Sequence, residues 1–291
     1  MPAPARHGAL RRRERTRLRR AYTTTRAWAR SLAPGVGTSL PDVVVIGGQR
    51  CGTTSLFRYL AAHPDVVTPR SKELNALSLH YGKGPGWYAG HFPAVLPHQR
   101  AMEASPLYLA DPRVPARAAE RLPDALFVAL LRDPVERAYS HYLHNLEYAA
   151  ESLSFVDALD AEPERIAHAR RLGLGSRRGI ELFRNASYVT RGRYADQLER
   201  WLSFVPREQL LVVRSEDFFA DPATTYDEVL ERVGLPAFDG VEFQRTNHWD
   251  DTRETQLTPA VRARLEEELA ESDERLTALL GWTHGWSRLT A

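Results

Sequence analysis

The first stretch whose residue types and spacing could do chemistry is Gly47-Gly48-Gln49-Arg50-Cys51-Gly52-Thr53-Thr54-Ser55. Glycines let a backbone curl until successive N–H groups converge on one anion, and a helix starting behind them adds the positive end of its dipole. Arg50, Thr53, Thr54 and Ser55 contribute a cation and hydroxyls to the same place. Gly47 and Gly52 approach the Walker A spacing, but Thr53 stands where the nucleotide-binding lysine belongs. A triphosphatase needs that lysine on its β- and γ-phosphates, so this loop is poorly equipped for triphosphate chemistry. A glycine pair alone more often serves packing. An apolar run before it and a helical pattern after it make anion binding the better reading.

Two further clusters carry charge in a useful setting. Thr68-Pro69-Arg70-Ser71-Lys72-Glu73-Leu74-Asn75 follows a short apolar run at Val66–Thr68, which would put these side chains at the carboxyl edge of a sheet, where open α/β folds bind ligands. A Lys-Glu pair is usually a solvated surface pair. This one, however, holds one of only two lysines in the chain, the other being Lys83. Arg132 ends a second apolar run, and Ser140 lies two turns into the helix behind it. An arginine there is a natural fork for a phosphate. Between these clusters, Gly82, Gly84, Pro85 and Gly86 interrupt regular structure, and Trp87, Tyr88, His91 and Phe92 supply aromatic faces. Core packing and acceptor contact are equal readings of those rings.

The elements that must position these residues follow from periodicity. Val43-Val44-Val45-Ile46, bounded by Pro41 and Gly47, reads as a strand buried on both faces and therefore as part of a parallel sheet. Leu56, Phe57, Leu60 and Ala61 recur at helical spacing until His63 and Pro64 stop the helix. Leu126–Leu131 is a second strand, after which Asp133, Pro134 and Glu136 supply an N-cap, a first-turn proline and a capping-box acid for a helix to about Tyr148. Residues 150–187 read as a lid or helical excursion, helical from Phe155 to Ala169 and flexible from Gly173 to Gly179. Then come a helix over Tyr194–Phe204, a strand at Leu210–Val213, and helices over Pro222–Val233 and Pro259–Leu280. Strands alternating with helices indicate a doubly wound, P-loop-type α/β fold with a parallel sheet.

At 291 residues and 43% hydrophobic, the chain can bury one large core. Residues 1–40 stand apart as a basic arm and 41–291 as the domain. Ten arginines and one acid, Glu14, share the first thirty residues, so the arm carries about +9 and the remainder about −7 of the net +2. Like charge with little apolar content predicts a disordered arm, and contact with a polyanion or membrane surface is the sharper alternative. Cys51 is the sole cysteine, which excludes an intramolecular disulfide. No apolar run has the length of a membrane span or a signal-peptide core, so a soluble, cytoplasmic protein is expected. Cys51, beside Arg50 and a helix N-terminus, is expected to have a lowered pKa and a reactive thiol.

From about Pro41 to Trp286 the sequence resembles the PAPS-dependent sulfotransferases (PAPS is 3'-phosphoadenosine 5'-phosphosulfate), in the branch of the heparan sulfate N- and 3-O-sulfotransferases and their bacterial relatives. The resemblance rests on the Gly47–Ser55 loop, on the Lys72-Glu73 pair, on Arg132 and Ser140 at the spacing of the family's 3'-phosphate motif, and on Gly192-Arg193-Tyr194 and Glu274-Arg275-Leu276. It implies transfer of a sulfuryl group from PAPS to a hydroxyl or amine on a carbohydrate, glycolipid or small metabolite, releasing 3',5'-diphosphoadenosine (PAP), with no metal. It further implies Glu73 as base and Arg50 and Lys72 as stabilisers of the leaving phosphate. The 5'-phosphosulfate would lie on Arg50, Cys51, Gly52, Thr53, Thr54 and Ser55, and the 3'-phosphate on Arg132 and Ser140. Arg253, with Arg245, would close the donor site, and Asn75, Trp87 and Tyr88 would meet the acceptor. Ala76 and Leu77 replace two aromatics usual in the family. The rivals are a P-loop kinase or NTPase and a non-catalytic anion-binding protein that works through the arm.

Overall fold

A computed structural model describes residues 39–244, 255–281 and 286. In chain order the elements are β1 (Val43–Gly47), α1 (Thr53–Leu60), β2 (Val66–Val67), α2 (Gly84–Ala89), β3 (Arg100–Ala104), α3 (Val114–Arg121), β4 (Leu126–Leu131) and α4 (Pro134–Glu147). They continue with α5 (Phe155–Arg171), α6 (Arg177–Ala186), α7 (Tyr194–Leu202), β5 (Leu210–Arg214), α8 (Ser215–Ala220), α9 (Pro222–Arg232) and α10 (Pro259–Leu280). The five strands form one parallel sheet in the order β2-β3-β1-β4-β5. From β1 the chain winds out to β2, returns to β3, then passes to the other side for β4 and β5. The loops that leave β1 and β4 therefore lie side by side at the switch point, the place where such sheets bind ligands.

The sheet is buried on both faces because consecutive strand residues point to opposite sides. Val44 and Ile46, with Phe127, Ala129 and Leu131, enter a core shared with Val114 and Ala118 of α3, Ala195, Leu198 and Trp201 of α7 and Leu276 of α10. Val43 and Val45, with Leu126, Val128 and Leu130, face Leu56 and Leu60 of α1, Phe218 of α8 and Val229 and Leu230 of α9. Helices on both faces make this the doubly wound α/β fold expected from the alternation of elements.

Several expectations needed correction. β3 is absent from the sequence reading, because Arg-Ala-Met-Glu-Ala has no apolar run and carries an acid that is fully buried at Glu103. The glycine-rich stretch before Trp87 was read as irregular and instead winds into α2, with Pro85 in its first turn, where a missing N–H costs nothing. The stretch read as flexible, Gly173–Gly179, is cut short by α6, whose N-cap Ser176 accepts from Gly179 N. The expected capping box is half present. Asp133 accepts from Val135 N at 2.8 Å and Glu136 N at 3.1 Å, but the bond back to Asp133 N comes from Glu216 of α8, at 3.0 Å. Glu136 instead pairs with Arg262.

α5 and α6 form the excursion between β4 and β5. It is tied down by the buried carboxylate of Glu162, which accepts from Tyr188 N at 2.9 Å, Val189 N at 2.8 Å and Thr190 N at 2.7 Å. Residues 1–38, all of the basic arm but its last two residues, lie outside the described residues.

Candidate active site

The loop after β1 turns sharply because residues without side chains occupy its tight points. A Cβ on Gly47 would come within 2.6 Å of the Leu109 side chain, and Gly52 has φ +92° with Phe219 only 2.8 Å from where its Cβ would be. Arg50 itself adopts φ 70°, an uncommon conformation for a residue with a side chain. Its Nε donates to Ser140 Oγ at 3.0 Å. This bond joins the loop after β1 to the helix after β4, ninety positions apart in the chain. Arg132 sits close enough that its charge, after burial, helps hold the Arg50 pKa below its ordinary value. Two guanidiniums therefore face one region. Among the described residues Arg50 has no carboxylate in ion-pair range, and Arg132 has only Glu136 at 3.6 Å. Such a concentration of positive charge fits an anionic ligand.

Lys72 approaches the same loop from the segment after β2. Its ammonium donates to Thr54 Oγ1 at 2.7 Å and stands 3.5 Å from Thr53 Oγ1. Burial lowers its pKa, and the neighbouring Glu73 opposes that shift. The cation that a Walker loop would carry at Thr53 is thus delivered from a different strand. Glu73 is exposed and Asn75 buried, and both have positive φ, 62° and 52°. Strain of this kind tends to collect at functional sites. The Asn75 amide group donates to Glu73 O at 2.9 Å. Thr53 and Ser55 are buried at the start of α1, while Thr54 is exposed.

Other expectations change. Cys51 is fully buried, with its thiol 3.9 Å from the Tyr194 hydroxyl. Burial raises its pKa, overriding the nearby arginines, so the expected reactive thiolate is corrected to an inert core thiol. The Cys51 carbonyl accepts from Ser215 Oγ at 2.8 Å. Trp87 and Tyr88 are each 3% exposed and belong to the sheet core. Tyr88 donates to Glu103 at 2.6 Å, which commits its polar end to the interior. Of the two readings of these rings, packing is the one realised here. Arg245 and Arg253 lie outside the described residues.

Arg191 was missed. It is buried, bonds the Gln49 side chain and donates to Pro106 O at 3.0 Å, bracing the phosphate-type loop from behind. Burial, then the charge of Arg137, lowers its pKa to about 9. The adjoining Gly192-Arg193-Tyr194 was the available signal, but nothing in it singled out Arg191 from the half-buried Arg193. The Tyr194 hydroxyl donates to Arg132 O at 2.9 Å, so one side chain touches both Cys51 and the backbone of Arg132.

Residues 40–267 match the model of the sulfotransferase domain. The chain belongs to the PAPS-dependent sulfotransferase family. It is 32% identical over 207 residues to the human bifunctional heparan sulfate N-deacetylase/N-sulfotransferase 3, covering 67% of this chain and 22% of that protein. It is also 32% identical over 201 residues to human heparan sulfate glucosamine 3-O-sulfotransferase 3B1, covering 67% of this chain and 46% of that one. The chain therefore spans less than half the length of either relative. Among solved structures, a sulfotransferase from Alicyclobacillus acidocaldarius superposes with a TM-score of 0.71 at 29% identity, covering 86% of this chain and all of that one. In this sulfotransferase the Arg50–Ser140 bond thus links the two segments that the family resemblance associates with the 5'- and 3'-phosphates.

Proposed function

We propose that this sulfotransferase transfers the sulfuryl group of PAPS to a hydroxyl or amine, with a carbohydrate or a small hydroxylated metabolite as acceptor. The observation that carries the reading is the hydrogen bond from Arg50 to Ser140, with Arg132 beside it and Lys72 on Thr54. Two sets of cationic and hydroxyl groups meet at one sheet edge, as a ligand with two separated phosphates requires. A ligand lacking the 3'-phosphate would leave the Arg132 side of the site unused.

When bound, PAPS supplies the sulfuryl group and a phosphate leaving group of low basicity. The chain's own residues supply the rest. Glu73, exposed at the site, takes the proton of the acceptor as its oxygen or nitrogen attacks in line with the departing phosphate. Arg50 holds the phosphate by charge and hydrogen bonds, since a guanidinium does not give up a proton near neutral pH. Lys72, with its lowered pKa, is the better donor to the leaving oxygen. The N–H groups at the start of α1 and the Thr53 and Thr54 hydroxyls add fixed dipoles where negative charge grows. The similarity to heparan sulfate enzymes favours a sugar acceptor, and the cytoplasm and the basic arm's polyanion contact remain part of the same proposal.

The test is affinity. PAP is expected to bind much more tightly than adenosine 5'-phosphate or ATP, and Arg132→Ala to weaken PAP by about tenfold or more, as the loss of a charge-assisted hydrogen bond of roughly 1.5–3 kcal/mol implies. Equal affinities for PAP and adenosine 5'-phosphate by calorimetry would sink the assignment. Transfer of labelled sulfate from PAPS to desulfated heparan sulfate, glycolipids and phenols then sorts the acceptors.

A further inference from the structure

Glu103 is 0% exposed, lies near the carboxyl end of β3, and was not distinguished by any sequence motif. Its carboxylate accepts from Tyr88 OH at 2.6 Å and Ser105 Oγ at 3.1 Å, and the Tyr108 hydroxyl is near enough to interact with it electrostatically. A hydroxyl has one proton. If that proton goes to Glu103, the oxygen is left as an acceptor, and in two cases the group that donates to it is a backbone N–H of the segment carrying Glu73. Asn75 N donates to Ser105 Oγ at 3.1 Å, and Leu77 N donates to Tyr108 OH at 3.0 Å. A third bond, Glu73 N to Ala104 O at 3.0 Å, comes from the backbone beside Glu103. Residues 73, 75 and 77 are thus held to β3 and the turn after it by three bonds, one of them through a hydroxyl that itself donates to the buried Glu103 carboxylate and another through the Tyr108 hydroxyl beside it.

The segment so held is unusual, since Glu73 and Asn75 both have positive φ without being glycine. Such conformations persist only where the surroundings over-determine them. We propose that Glu103 is a positioning residue, which by fixing the polarity of the Ser105 and Tyr108 hydroxyls holds the Glu73–Leu77 turn and so aims the Glu73 carboxylate at the acceptor. The role rests on Glu73 being the base, as proposed above. It also accounts for an acid inside a strand whose neighbours are apolar, and for the burial of Tyr88. Burial raises the Glu103 pKa, and the hydroxyls around it oppose the shift.

Three variants test this with little change of volume. Ser105→Ala and Tyr108→Phe each remove one acceptor, and Glu103→Gln replaces a pure acceptor with a group that must present N–H to one of the hydroxyls. Peptide-resolved hydrogen exchange, without any ligand, is expected to show faster exchange in 73–78 for all three and unchanged protection in β1 and β4. With PAPS as donor and desulfated heparan sulfate as acceptor, turnover is expected to fall on the order of ten- to a hundredfold, as misplacement of a reacting group does, while PAP affinity stays as in the wild type. Exchange in 73–78 equal to wild type in Glu103→Gln would overturn the proposal, as would normal turnover in a variant whose turn is loosened. A wild-type enzyme that failed to sulfate any acceptor would count against the proposed reaction alone. The exchange measurement would still decide whether Glu103 holds the turn.

Discussion

At the scale of the residue, the site separates groups by how far burial has altered them. Glu73 is exposed, whereas Lys72 beside it is partly desolvated and bonded to Thr54. Glu73→Gln keeps the shape and removes the proposed base, so turnover is expected to drop on the order of a hundredfold to ten-thousandfold while PAP still binds. Calorimetry beside a single-turnover assay separates the two effects, and near-normal turnover in this variant would assign the base elsewhere. Cys51 gives the opposite kind of expectation. A thiol with no exposure and a raised pKa should label slowly with a maleimide in the native protein, with or without PAP, and rapidly once urea unfolds it. Mass spectrometry of the labelled peptide reads this directly.

At the scale of the element, the helical excursion is held by the apolar packing of Phe155, Leu159, Ile166, Ile180 and Phe183 and by the buried carboxylate of Glu162. One carboxylate satisfies three consecutive N–H groups at residues 188–190, at the start of the turn that leads to Arg191. Glu162→Ala leaves these donors without an acceptor. Each buried orphan costs roughly 1–3 kcal/mol, and a domain of this size loses about 2–4 °C of melting temperature per kcal/mol. A clear fall in Tm is therefore expected, together with weaker PAP binding, because Arg191 braces Gln49 in the phosphate-type loop. A variant that melted like the wild type would show that water or a rearranged turn replaces the carboxylate.

At the scale of the whole molecule, buried histidines make stability depend on pH. His91 is 7% exposed, packs edge-on to Trp87 at 4.4 Å between ring centroids, and has its pKa lowered by burial and then by Lys83 from 6.5 to about 4. His141 is fully buried and shifted the same way, by burial first and then by Arg137. The unfolded chain binds protons at these sites that the folded one refuses, so their contribution to stability is complete above about pH 6.5 and is lost as the pH falls toward 4. The buried acids Glu103, Glu162 and Asp273 have raised pKa values and act in the opposite direction, favouring the folded state at lower pH. The histidine part is therefore read as a difference. Between pH 7 and 5 the urea midpoint of the wild type should fall relative to that of His91→Asn, and parallel profiles would remove His91 from the account. No described helix is long and apolar enough to cross a membrane.

The sequence by itself determined the frame of this protein. Val43–Ile46 and Leu126–Leu131 are apolar without interruption, which a strand needs only when both its faces are covered, and the glycine turn behind the first and the capped helix behind the second followed from local chemistry. The loop residues, Lys72-Glu73, Arg132 and Ser140 were legible because their types and spacing are local signals. What only the tertiary structure decided is which side chains meet and what water is taken from them. No spacing rule brings Arg50 to Ser140, Arg191 to Gln49 or Glu103 to the turn after Glu73, because these pairs join segments far apart in the chain. Burial is equally non-local. Beside an arginine and a helix start, Cys51 has the neighbours of a reactive thiolate, and the packing of Leu56, Leu130 and Phe218 in the same core makes it a neutral one. Charge and spacing are written along the chain, but desolvation, which sets how each charge behaves, belongs to the folded molecule.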